Sequence, residues 1–239
     1  MNFVQRALAI AGLGLSFGLL ANSAVASLAN PVAGAEYQIL ASPQPTEGGL
    51  GKRIEVTEFF WYSCPHCSSF EPFLEDWIVK QGTRISFKRV PIASDARMVP
   101  EQKLYYALEA MGKVPALHKK VFDAIHVQHL RLDNIGSIAD FVVRQGMDKS
   151  KFVDVYNSFS VQAKATRAAQ LQSAYKVDAV PTLVVDGRFM TSPTIVQMNP
   201  SAGNSESSWF QSTLQVMDGL VTKAAAEKSG AAALPAAKN

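Results

Sequence analysis

The two cysteines of this 239-residue chain stand three residues apart, in Cys64-Pro65-His66-Cys67. Sulfurs at positions i and i+3 are neighbours on a helix surface and can close a disulfide without moving the backbone. So short a loop stabilises little through chain entropy, and disulfide staples in exported domains close longer loops and come several at a time. The pair therefore reads as chemistry. At the start of a helix, Cys64 would face unpaired amide N–H groups and the positive end of the macrodipole, both of which favour thiolate over thiol. Pro65 suits the first turn, where its missing N–H has no intrahelical partner. His66 adds a donor and, when protonated, a positive charge beside the same sulfur. A stabilised Cys64 thiolate is a good leaving group and favours the dithiol, which makes the disulfide an oxidant. Thiol–disulfide exchange at Cys64, with Cys67 closing the disulfide, is the chemistry these residues imply.

A helix must then begin at Pro65, and the period supports one: Cys67, Phe70, Phe73, Leu74, Trp77 and Ile78 share a face up to Gly82. Before it, Ile54 to Phe60 reads as a strand with Ile54, Val56, Glu58 and Phe60 on one face. Glu58 is out of place among them, which suggests burial beneath the cysteines and a raised pKa. Another strand fits Arg84 to Val90, giving a parallel strand–helix–strand unit. From Ser94 to Tyr175 the pattern changes to four or five helices, with Gly112 and Gly146 as stops and Asp133 and Asp148 as caps. Their apolar stripes are Leu104/Leu108/Met111, Leu117/Val121/Ile125, Ile135/Ile138/Phe141/Val142 and Phe152/Val155/Phe159. Strands return at Thr182 to Val185 and Arg188 to Thr191 around an Asp186-Gly187 turn, an antiparallel edge for the sheet. A last helix from Glu206 to Ala226 carries Trp209, Thr213, Met217, Leu220 and Val221 on one face. The organisation expected is a leader at 1–26, an α/β domain split between 27–95 and 176–226, an all-helical insertion at 96–175, and a frayed tail at 227–239.

The leader rests on Arg6, the apolar run from Ala7 to Ala21 and the small residues ending Ala24-Val25-Ala26, a secretory pattern with cleavage near Ala26. An uncleaved anchor is the competing reading, weakened by Asn22, Ser23 and Asn30. Hydrophobic content of 48%, charged content of 18% and a net charge of +3 describe an ordinary globular chain with no basic stripe for nucleic acid. His126 and His129 are too closely spaced for the usual zinc pattern, and Ser68 excludes a Cys-x-x-Cys-His haem attachment. No metal or cofactor is expected.

Glu58-Phe59-Phe60, Cys64-Pro65-His66-Cys67 and Val180-Pro181-Thr182, set around a helical insertion, resemble the DsbA family of bacterial periplasmic oxidases. That family itself illustrates the low-pKa, oxidising cysteine pair, so the strength of the oxidant comes with the resemblance. The resemblance implies a thioredoxin-like mixed sheet with an inserted helical domain, and a cis Pro181 facing the cysteines. It also implies that Val180 offers its backbone to an extended substrate and that Glu58 relays protons for Cys67. The lysine it would pair with Glu58 has no counterpart, the nearest register giving Phe87 with Lys88 and Arg89 alongside. Implied partners are newly exported cysteine-containing proteins and a quinone-linked membrane reoxidant of the DsbB type, serving a monomer in the periplasm. Trp61 and Tyr62 are taken as rim contacts for substrate, and Phe70 and Met98 as core. Alternatives are a reductase or isomerase on the same fold, and a non-catalytic binding module with an inert disulfide.

Overall fold

Seven consecutive buried residues, Ile54–Phe60, form the strand on which the molecule is built. It is β2, because Gln38–Ile39 forms a short β1 ahead of it. The computed structural model describes residues 28–46 and 53–232. The expected leader at 1–26 and the stretch 233–239 lie outside the described residues.

After β2 the chain enters α1 (Pro65–Gln81) and leaves it at Gly82, whose φ of 52° ends the helix. It then returns as β3 (Ile85–Pro91), parallel to β2 from Ile54↔Ile85 to Phe60↔Pro91. On the other side of β2 lies β4 (Thr182–Val185), antiparallel, followed by β5 (Phe189–Thr191) and then β1. The sheet order is β1-β5-β4-β2-β3. The β4–β5 hairpin is therefore interior, and β1, inconspicuous in the sequence at two residues, covers the edge it was expected to supply. Asp186 and Gly187 turn that hairpin with φ of 54° and 65°, as two adjacent positive-φ positions require.

Five helices intervene between β3 and β4: α2 (Val99–Ala110), α3 (Val114–His126), α4 (Ile135–Arg144), α5 (Lys149–Tyr156) and α6 (Phe159–Tyr175). Gly112 and Gly146 follow α2 and α4 with positive φ, as expected of stops. Asp148 caps α5, whereas α4 is capped by Asn134; the carboxylate of Asp133 instead accepts from Arg131 and from the Asn134 side chain. Phe159 is 88% exposed. It opens α6 after the Ser158 cap and cannot extend the stripe of α5, which ends at Tyr156.

Beyond β5 come the short α7 (Pro193–Val196) and the long α8 (Glu206–Ala232). The expected fraying at Ala226 does not occur there. Glu227 pairs with Arg188 at 2.7 Å and Lys228 with Asp186 at 2.6 Å, tying another turn of α8 to the β4–β5 turn. These ion pairs add to the high helix propensity of Ala, Glu and Lys, so the helix runs on through the Ala-rich stretch.

The sheet separates two cores. Ile54, Val56, Leu183 and Val185 pack with Leu74 of α1 and with Met217 and Leu220 of α8. Phe59, Phe60 and Val184 pack with Leu104, Val121 and Phe141 of the insertion. Phe60, at the end of β2, packs against His118 and Phe122 of α3 instead of joining Ile54 and Val56, because β2 is covered on both sides and its end reaches the insertion.

Candidate active site

Cys64 is the N-cap of α1, in extended conformation, with Pro65 opening the helix and no side chain of its own capping it. Its N–H donates to Trp61 O at 3.1 Å, so Trp61–Cys64 forms a tight turn at the end of β2. Both cysteines are buried free thiols. Hydrogen bonding from the Cys67 side chain, then from the backbone N–H groups of Cys67 and His66, and the charge of His66 bring Cys64 down from 9.0 to about 6 against opposing burial. Burial pushes Cys67 well above the ordinary thiol value, and the neighbouring Cys64 and Glu58 push it further. One sulfur is thus primed as thiolate while the other is held as thiol.

The Val180–Pro181 peptide is cis, as the resemblance implied. It brings Val180 O within 3.5 Å of Cys64 Sγ, which donates to it. His66 is largely exposed, and its Nδ1 lies 2.6 Å from Glu206 Oε1 at the start of α8, a partner 140 residues away that no local pattern discloses.

Beneath the cysteines Glu58 is 1% exposed. The parallel register sets it opposite Arg89, whose Nε donates to Glu58 Oε2 at 3.0 Å. Arg89 Nη2 donates also to Glu71 and Glu75. The basic partner without a sequence counterpart is therefore Arg89, while Lys88 pairs with Glu55 at 2.9 Å. Burial raises Glu58 from 4.5 to about 8 despite Arg89. Glu71, though burial opposes it, is held below the usual range by hydrogen bonding to His118 and by Arg89.

Tyr62 does not reach the substrate rim. It is 1% exposed, and its hydroxyl meets His118 Nδ1 at 2.8 Å between rings from Phe60 and Phe122. The alternation that puts Trp61 outward turns Tyr62 inward. Burial lowers His118 against the opposing pull of Glu71; in the neutral tautomer protonated at Nε2, 3.4 Å from Glu71, the Tyr62 hydroxyl donates to Nδ1. Trp61 is half-buried and, with Ser63, Met98 and Glu101, lines a cleft of about 730 Å³ between the β2–α1 turn and the insertion. Phe70 and Met98 are core, as expected. His126 Nε2 donates to Tyr62 O at 2.7 Å, which gives this histidine a structural task. Glu101, Glu206, His118 and His126 have no signal near the cysteines in sequence; only the fold brings them there.

A low-pKa thiolate at a helix start, a partner thiol behind it and a proline loop across from it, on a mixed sheet, define a thioredoxin-like dithiol oxidoreductase. Residues 99–199 match the DSBA-like thioredoxin domain family. The thiol:disulfide interchange protein DsbA of Burkholderia cepacia is 44% identical over 207 residues, 87% of this chain and 92% of that protein. DsbA of Bordetella parapertussis is 39% identical over 209 residues, 87% of this chain and 94% of that protein. The crystal structure of Pseudomonas aeruginosa DsbA superposes with a TM-score of 0.74 at 35% identity, covering 83% of this chain and 96% of that one. The chain belongs to the DsbA thiol:disulfide interchange family, with Cys64 and Cys67 as its cysteine pair.

Proposed function

We propose that the protein works in the periplasm as a dithiol oxidase, donating its Cys64–Cys67 disulfide to newly exported proteins. The observation that carries the direction is the contrast between the two sulfurs, Cys64 lowered to about 6 and Cys67 raised. A substrate thiolate attacks Cys64 Sγ, the Cys64–Cys67 bond breaks, and the electron pair goes to Cys67, which takes up a proton. A second substrate thiolate then attacks the substrate sulfur of the mixed disulfide, and Cys64 leaves as a stable thiolate. The substrate has lost two electrons and the protein has gained them.

Glu58, raised to about 8 by burial, carries a proton at neutral pH and is the group we assign to supply Cys67. Pro65 starts the helix, His66 lowers Cys64, and Val180 O beside Pro181 presents a backbone acceptor to an extended substrate. Trp61 forms the rim. Reoxidation returns the electrons to a quinone-linked membrane partner of the DsbB type; no helix among the described residues is long and apolar enough to cross a membrane.

Trapping tests the assignment. Oxidation of the C67A variant in the presence of a reduced cysteine-containing protein should accumulate a mixed disulfide at Cys64. Failure to form that adduct, or an oxidised wild-type protein that leaves such substrates reduced, contradicts it.

A further inference from the structure

The start of α1 has no side-chain cap of its own, yet the residue before Cys64 is held firmly from outside. Glu101, in the first turn of α2, accepts from Ser63 N–H with Oε2 at 2.9 Å and from Ser63 Oγ with Oε1 at 2.5 Å. Burial raises Glu101 above the usual carboxylate value, and the two bonds from Ser63 oppose that rise. Glu101 is 4% exposed, so both bonds are made where water competes poorly. An acidic group in a first helical turn also suits the dipole of α2.

We propose that Glu101 is a positioning residue for the redox pair. By gripping the amide and hydroxyl of Ser63, it fixes the angle at which the chain enters α1, and so keeps Cys64 Sγ on the amides of His66 and Cys67. The helical insertion thereby sets the thiolate stability of a cysteine that belongs to the sheet domain. Charge alone would act the other way, since a carboxylate near Cys64 disfavours thiolate. Position and charge are therefore separable by sign.

The inference rests on Cys64 as the reacting sulfur and is independent of the direction of electron flow in the cell. Its test is the glutathione equilibrium, in which the protein disulfide and two glutathione thiols give the protein dithiol and glutathione disulfide. Thiolate titration of Cys64 is read alongside. E101A should lower the equilibrium constant by roughly tenfold, the scale of losing charge-assisted hydrogen bonds, and raise the Cys64 titration. E101Q can still accept from Ser63 N–H and donate to Ser63 Oγ, so it should restore most of the wild-type value. S63A, which keeps only the amide bond, should fall by about threefold.

If E101A does not fold, S63A decides: a shift in the expected direction supports the proposal and a wild-type value overturns it. Unchanged values in both E101A and S63A overturn it, as do equal shifts in E101A and E101Q. A wild-type protein whose Cys64 titrates near the ordinary thiol value overturns the assignment of the reacting sulfur as well. A normal wild-type titration with unmoved variants sinks Glu101 alone.

Discussion

Side-chain burial beneath the cysteines sets protonation where sequence gives only a residue type. Glu58 prefers its proton in the folded protein, with a value of about 8 against an ordinary 4.5. The stability this contributes is complete below the unfolded value and is lost as pH rises through about 8. E58Q should therefore be more stable than wild type at and above that pH, by on the order of a few kcal/mol, with the gap closing in acid. Arg89 is not stranded by the change, because Glu71 and Glu75 still receive it. Denaturant titrations at several pH values check this. Cys64 has the opposite sign: its depressed value stabilises the dithiol form above the ordinary thiol pKa, and that gain is lost as pH falls through about 6. H66A should raise the Cys64 titration modestly, read from the pH dependence of alkylation, since it removes the charge of His66 while the backbone N–H at that position still donates. Y62F should cost about 1–3 kcal/mol by leaving His118 Nδ1 unpaired, while substrate KM stays unchanged. A raised KM would restore Tyr62 to the rim.

Secondary structure was readable where a pattern lay within one element. The shift from period two to helical period at Pro65 located α1, and Asp186-Gly187 located the β4–β5 turn. Elements fixed by distant partners were not readable. β1 exists because Gln38 and Ile39 pair with Met190 and Phe189, and α8 persists past Ala226 because Glu227 and Lys228 find Arg188 and Asp186. Deleting the chain after Ala226 should accordingly lower stability by about 1–2 kcal/mol, most visibly at low salt, as chemical unfolding would show. Gly187 has a second constraint beyond its φ: a Cβ there would stand 2.2 Å from Gln44 O, where the leading segment crosses the turn. G187A should lose about 1–3 kcal/mol, measured the same way, from strain and from displacement of that segment.

At the scale of the molecule, the α/β frame and its helical insertion were legible because Cys64–Cys67, Val180–Pro181 and the intervening helical periods are each local signals. Their convergence was legible only through family resemblance, because no spacing in sequence puts Val180 O beside Cys64 Sγ. The residues that hold the site from the insertion, Glu101, His118 and His126, lie on helices whose sequence patterns report only burial. The molecule is thus a redox pair on a sheet, with a helical region inserted between β3 and β4. The central claim is that this arrangement stabilises the Cys64 thiolate and so makes the disulfide oxidising. Equilibration with glutathione, with Cys64 alkylation followed across pH, tests it most directly. The account predicts a Cys64 thiolate that forms at about pH 6 and a pair that stays reduced in buffers where ordinary protein dithiols are oxidised. A Cys64 that titrates like a free thiol, with a disulfide that persists in reducing glutathione, would contradict it.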